Sequence, residues 1–266
     1  MATRQRWFRT LAALTPPVVV SIAAAIAGLL LARALVPPGT LRASSDEVGN
    51  YLQTLGSVYA VLLAFVVFVV WNQYNQTREL IEREANQVLD LFRTAKGFSD
   101  EVRRPVQHQL RAYVEEVLRH EWPAMARGAE IADVAGGPLD RVWDLLVRFE
   151  PVSQSHCALY DQMLSGYNDL SDVRAGRVLA SITRIPLALR ILLYIGAVMT
   201  VASTYLLCVE SFAIHAIVAG TLAGAISHVI YIIGDLDHCF AGDWQVPRSA
   251  FERVHAYMER GEVRKG

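Results

Sequence analysis

Apolar residues gather into four long runs, and one long stretch between the second and third alternates apolar with charged positions. A hydrocarbon core is crossed by a helix of about 20 apolar residues, and each run reaches that length. The first extends from Leu14 to Val36, opens on Pro16-Pro17 as a first helical turn tolerates, and ends before Pro37-Pro38. Its one charge, Arg33, lies near enough to an end to snorkel. The second, Tyr51 to Tyr74, carries no charge. The third, Pro186 to Val209, carries only Arg190, and the fourth, Phe212 to Gly234, holds His215 and His228 but no formal charge.

The stretch of about 110 residues between the second and third runs has helical spacing throughout. From Asn75 to Ala95, Leu80, Ile81, Val88, Leu89, Leu91 and Phe92 give one apolar face. No breaker stands between Trp71 and Leu80, so the second membrane helix is expected to continue unbroken into this region. Ser99-Asp100-Glu101 reads as the cap of a helix reaching Arg127, with Val106, Leu110, Tyr113, Val114, Val117 and Leu118 in register. Gly136-Gly137-Pro138 marks a break. Helices are then expected at Leu139–Phe149 and Val152–Leu164, with Ser171-Asp172 capping another to Ile185. No strand pattern, internal repeat or low-complexity tract occurs. The expected fold is an all-α integral membrane protein. It has four transmembrane helices, with a cytoplasmic helical domain inserted between the second and third. The segments are 1–74, 75–185, 186–234 and a C-terminal 235–266.

Composition agrees with a membrane protein. Hydrophobic residues make up 53% and charged residues 19% of the 266, against about 45–50% and about 25% in soluble domains. A net charge of -1 gives no reason to expect nucleic acid. Cys157, Cys208 and Cys239 are scattered, with no CxxC, which argues against a disulfide scaffold.

Charge sets the expected orientation through the positive-inside rule. Arg4, Arg6 and Arg9 precede the first run, Arg78 and Arg83 follow the second, and Arg174, Arg177 and Arg184 precede the third. The first opposite connection, Pro38 to Asn50, has only Arg42, and the second is a tight turn at Glu210-Ser211. Both termini and the middle domain are therefore expected in the cytoplasm. Ala32-Arg33-Ala34 imitates a signal-peptidase site, but the apolar run is long for a signal core and an arginine inside the site is unfavourable.

On a wheel of 100° per residue, the second membrane helix has two opposed faces. Gly56, Ala60 and Ala64 form a small-residue ridge that permits close helix approach. Opposite lie Val58, Leu62, Phe65, Val69, Asn72 and Gln76, apolar and bulky first, then amides. This stripe reads either as a pore lining that constricts by dewetting or as a face turned to lipid. On the fourth helix, Gly220-x-x-x-Gly224 is a packing motif. His228, inside the apolar run, is expected to meet protein or water. A structural hydrogen bond and an ion-linked role are its two readings.

Enzyme motifs are absent: no nucleophile elbow, P-loop, dinucleotide fingerprint, zinc-protease or kinase motif occurs. Glu116 and His120 share a helix face, but without a third ligand a solvated face is the simpler reading. Asp235, Asp237, His238, Cys239 and Asp243 follow the fourth helix without EF-hand spacing, so a polar turn is favoured over a metal site. Asp237 is kept as a residue that an ion could touch. No catalytic residue, metal or cofactor is assigned, and the protein is not read as an enzyme.

The run YAVLLAFVVFVVWNQYNQ (Tyr59–Gln76) with Glu84-Ala85-Asn86 resembles the signature of a bacterial bestrophin-like family. So do Tyr113 with His120-Glu121-Trp122-Pro123, and GDLDHCFAGDWQVPRSAF (Gly234–Phe251), a variant of Asp-x-Pro-Phe-x-Gly. The resemblance covers Tyr51 to Phe251. Bestrophins are anion channels with four membrane helices, cytoplasmic termini, a helical cytosolic domain and pentameric assembly. By resemblance their hydrophobic neck falls on Leu62, Phe65 and Val69. Asp237, Phe240 and Gly242 match the post-membrane element, but Cys239 replaces its proline and only Asp243 follows. Calcium gating is therefore not expected.

Two readings follow. The first is a homo-oligomeric, anion-conducting channel in the bacterial inner membrane, with membrane lipid and inorganic ions as partners and five subunits by resemblance. The alternative is a non-conducting scaffold or sensor whose cytoplasmic helices bind a partner. It draws on the absence of charge along the stripe.

Overall fold

The structure, a computed structural model, describes residues 2–36, 45–129, 131 and 137–263, with side chains for 15–36, 46–129, 131 and 137–260. The expected break at Gly136, the outer Arg42, Pro37-Pro38 and the side chains of Arg4, Arg6 and Arg9 lie outside the described residues. Among those described there is no strand. The helices are α1 (Ala2–Leu35), α2 (Ser45–Thr94), α3 (Asp100–Glu116), α4 (Trp122–Ala126), α5 (Pro138–Val147), α6 (Gln154–Ile182), α7 (Leu187–Thr204), α8 (Phe212–Asp237) and α9 (Ser249–Val263). Among the described residues, four helical stretches are long and apolar enough to cross a membrane.

The chain forms two compact units. One comprises residues 1–72 and 184–237, the other 73–183 and 238–266. The 50-residue α2 is unbroken, since nothing between Trp71 and Leu80 interrupts its hydrogen-bond ladder, and it supplies residues to both units.

In the first unit, α1, α7, α8 and the early part of α2 meet over small residues. An added Cβ at Gly224 would lie 3.2 Å from Ile22, and one at Gly220 3.3 Å from it, so α1 sits against the glycine face of α8. Ser21 on α1 donates to Ser227 on α8 at 3.0 Å. Gly28 faces the Tyr205 ring, and the Tyr205 hydroxyl donates to the Ala25 carbonyl at 2.9 Å. Pro16 and Pro17 lie inside α1, not in its first turn. The Pro17 carbonyl accepts a bond from Ser227 at 3.3 Å, the kind of neighbouring-helix support that membrane helices give to proline. α7 ends at Thr204 and not at Val209, because the chain turns there towards α8.

The second unit has an aromatic and aliphatic core drawn from α2, α3, α4, α5, α6, α9 and the segment between α8 and α9, including Phe92, Tyr113, Trp122, Phe240 and Phe251. Trp122 packs edge-on against Phe240 and Phe251 at 5.5 and 6.3 Å. Residues between Cys239 and Met258 therefore contribute to this core. Their apolar set Ala250, Phe251, Val254 and Met258 is buried at helical spacing. Ser171-Asp172 does not cap a new helix. α6 runs through it as one 29-residue element, and its glycines allow close contact, Gly166 with Leu91 and Gly176 with Leu80. Ser99 stands at the start of α3 with no side-chain cap bond; its carbonyl instead accepts from Arg103 N–H at 2.8 Å.

Between α3 and α4 the helix widens into a π turn, Val117–Glu121, and the Trp122 N–H reaches the Val117 carbonyl. Pro123 explains it: proline offers no N–H to the carbonyl four residues back, and its ring would collide with that carbonyl. The wider turn leaves Glu116 and His120 paired on the surface at 3.0 Å while Glu121 points inward.

Candidate pore face and buried polar sites

The rotation of α2 in the first unit is set by Tyr59. Its hydroxyl donates to the Leu193 carbonyl at 2.9 Å. Its ring lies over Gly196, where a built Cβ would stand 2.5 Å from the ring carbons, so only glycine admits this contact. Tyr59, Val66 and Val70 are buried, about 100° round the wheel from Val58. Fixing that face leaves the expected stripe and ridge on the remaining circumference. Val58 and Phe65 are 65% and 57% exposed, Gln76 is exposed, and Leu62, Val69 and Asn72 are half-buried. Val61 and Phe68, outside the expected stripe, are more exposed than Phe65. On the ridge, Ala60 and Ala64 are exposed and Gly56 has nothing within 4 Å of an added Cβ. The described part of the chain thus places no side chain against Gly56.

Several polar groups of this unit bond within it. Arg33 Nη2 donates to the Val209 carbonyl, Nη1 donates to the Glu210 carbonyl at 3.5 Å, and Nη2 lies 3.2 Å from His215 Nδ1. His215 Nε2 stands 2.7 Å from the Thr204 carbonyl. His228 is exposed. Asp237 is 1% exposed. Its Oδ1 accepts the Ile185 N–H at 2.8 Å and its Oδ2 accepts Arg190 Nη2 at 2.9 Å. Each carboxylate oxygen therefore meets one donor of the protein. Among the described residues no group of three or more metal-ligating side chains stands together.

The second unit holds a buried network that the sequence did not disclose. Arg177 on α6 is fully buried. Its Nε donates to Glu84 Oε2 at 2.6 Å and its Nη2 to Glu84 Oε1 at 3.1 Å, a two-pronged bond across from α2. Nη2 also donates to Glu121 Oε2, and Nη1 approaches Met125 Sδ at 3.4 Å. The Tyr113 hydroxyl donates to Glu84 Oε1, and Arg174 Nη2 donates to Glu121 Oε1 at 2.9 Å. Two carboxylates thus face two guanidinium groups. Burial alone would raise the Glu121 carboxyl, but Arg177 and Arg174 hold it below its ordinary 4.5. Burial, then the Glu84 charge, raise the Tyr113 phenol well above its ordinary 10.0. Against burial, Glu84 pushes the Arg177 guanidinium further up.

Arg174 and Arg177, which the sequence presents as membrane-flanking charges, are internal partners of Glu121 and Glu84. A signal for this network did exist. Glu84, Tyr113, Glu121, Trp122, Phe240 and Phe251 all belong to the stretches that carried the family resemblance, and they converge on Arg177 or the rings around it.

Four apolar spans joined to a helical unit with an arginine-centred core define a helical membrane protein. The chain belongs to the bestrophin-like family, whose description, Bestrophin-like domain, matches residues 19–251. A crystal structure of a mutant bacterial Bestrophin homolog from Klebsiella pneumoniae superimposes with a TM-score of 0.70 at 11% identity. It covers 92% of this chain and 99% of that one. Another from the same organism gives 0.68 at 13% identity, covering 90% and 96%. At such identity the likeness shows the fold alone. No protein of curated function matches the chain in sequence.

Proposed function

We propose that the chain is the subunit of a homo-oligomeric ion channel in the bacterial plasma membrane. It is anion-conducting and five-fold like the bestrophins, with both termini and the helical unit on the cytoplasmic side. The observation that carries this reading is the division of α2. One face is fastened within the chain by Tyr59, Val66 and Val70, while the ridge at Gly56, Ala60 and Ala64 and the bulky side at Val58 and Phe65 are left open. A ring of copies uses both: a neighbour closes on the small residues, and the bulky side chains turn to the axis. Leu62, Phe65 and Val69 then form an apolar neck that gates by wetting, with Asn72 and Gln76 as an amide vestibule. No charge interrupts α2 from Tyr51 to Thr77, so selectivity depends on dehydration and not on a charged ring. Membrane lipid covers the outer surface.

Purified protein in planar bilayers is expected to carry chloride current, and Phe65→Ala is expected to raise it by widening the neck. Phe65 is exposed in the single chain, so the variant should keep its fold. Silence of the unmodified protein across several lipids and salts rejects the channel. Unchanged current in Phe65→Ala rejects this placement of the neck.

A further inference from the structure

In the second unit α9 runs beside α2 without closing on it. Arg253 Nη2 meets Glu82 Oε2 at 2.8 Å. The Arg93 guanidinium and the Lys96 ammonium lie over the Tyr257 ring, 5.1 and 5.9 Å from its centre. Between the helices is a groove of about 520 Å³, lined by Asn86, Ser249, Glu252, Arg253, Tyr257 and Arg260 among others. That volume falls in the range of small-molecule sites.

Among the described residues, not every cation around the groove meets a carboxylate. Glu82 is matched by Arg253, Asp90 by Arg93 at 3.6 Å, and Glu252 by Arg248 at 2.8 Å. Lys96 and Arg260 meet no carboxylate among the described residues; the Arg260 Nε donates only to the Ala256 carbonyl at 3.1 Å. Both stand near Tyr257, Lys96 over its ring and Arg260 one turn further along α9. The Tyr257 phenol is held below its ordinary value, first by the hydrogen bond from Arg93 and then by the Lys96 charge. The surroundings therefore favour negative charge. Ser249 and Asn86, with neutral donors, line the same groove.

We propose that this groove binds a phosphate-bearing small molecule, its phosphate held by Lys96 and Arg260 and its body lying along Arg253, Ser249 and Asn86. Two cations that meet no carboxylate among the described residues suit a phosphate better than a singly charged anion, because a phosphate carries close to two charges and several acceptor oxygens at neutral pH. None of these residues belongs to the α2 face of the proposed pore, so the site stands or falls independently of conduction.

The test is calorimetric titration of the full-length protein in detergent micelles with inorganic pyrophosphate, at constant ionic strength in chloride buffer. Saturable binding is expected, weakened about tenfold by Lys96→Gln and again by Arg260→Gln, since each removes one charge-assisted contact. Lys96→Arg should retain it. Arg119→Gln removes an exposed cation paired with Glu115 and should leave affinity unchanged. Helicity measured without ligand should match the unmodified protein in every variant. No saturable binding, equal loss in Arg119→Gln, or binding untouched by both Lys96→Gln and Arg260→Gln overturns the proposal.

Discussion

In the unit built on α1, α7 and α8, helices meet over Gly28, Gly196, Gly220 and Gly224, and several of the bonds between them run from hydroxyls to carbonyls, as from Tyr59, Tyr205 and Ser227. In the unit built on α3, α6 and α9, helices meet over Phe92, Trp122, Phe240 and Phe251, with Arg177, Glu84 and Glu121 buried among them. The contrast follows from the solvent each composition suits. Lipid tails are as apolar as leucine, so exclusion from solvent does not press membrane helices together. Close backbone approach and hydrogen bonds must do so instead. Against water, large side chains gain from burial at about 25 cal/mol per Å², and such a core can enclose an ion network whose desolvation is itself unfavourable. Large exposed apolar side chains follow the same division. They are dense on the first unit, as at Val19, Val61, Phe68, Ile195 and Val198, and sparse on the second.

The sharpest way to break this comparison is Arg177→Met. It removes the cation and leaves Glu84 and Glu121 as buried carboxylates without their central partner. Removing one member of a buried pair costs about 3–5 kcal/mol. Arg177→Lys should recover little, because an ammonium cannot make the two-pronged bond to Glu84. Protease sensitivity of the second unit in detergent is expected to rise sharply in both variants, while the apolar helices of the first unit stay protected. If the second unit of Arg177→Met resists protease as well as the unmodified protein, the network is not what holds that core.

The matching change in the first unit is Gly196→Val. A Cβ there collides with the Tyr59 ring, which cannot retreat while its hydroxyl holds the Leu193 carbonyl. Overpacking of this kind costs about 1–3 kcal/mol, and thermal unfolding in detergent should show a fall below that of Arg177→Met. Tyr59→Phe combined with Gly196→Val should recover part of the loss, because the freed ring can shift. No loss in Gly196→Val alone would mean that α2 and α7 are not held at this point.

Much of the fold is legible in the sequence. The four apolar runs have the length that a bilayer requires, and the absence of a breaker after Trp71 foretold an unbroken α2. Contacts between distant residues were not legible. Arg177 and Glu84 stand 93 positions apart, and an arginine just before an apolar run looks like a topogenic charge until its carboxylate is seen. Ser171-Asp172 resembles a cap because local bonding competes with the helix; packing of Gly166 and Gly176 against α2 decides otherwise. α9 is not evident from the sequence although Phe251, Val254 and Met258 carry its periodicity, since a short amphipathic stretch has no local feature that demands a core. Of the proposed pore face, the wheel offers the stripe and the ridge as expectations. The face between them, fixed by Tyr59, could not be read from it, because its partner Gly196 lies on another helix.

The smallest expected effect concerns pH, and it separates the units because only the second contains the network. The Tyr113 phenol has its pKa raised on folding, so the native state favours the protonated form. That contribution is fully present below the ordinary 10.0 and is lost as pH rises through the higher folded value. Glu121 is shifted the other way. Its contribution is present above the ordinary 4.5 and is lost as pH falls through the lower folded value. Stability of the second unit should therefore show a plateau between these limits with a decline on each side. Tyr113→Phe should remove the Tyr113 part of the alkaline decline at a cost of about 1 kcal/mol on the plateau, since Glu84 keeps both bonds from Arg177. Unfolding followed by the fluorescence of Trp122, the buried tryptophan of this core, at a series of pH values measures both limbs. An alkaline limb unchanged in Tyr113→Phe would show that the phenol proton is not what the native state protects, and that Glu84 is held by Arg177 alone.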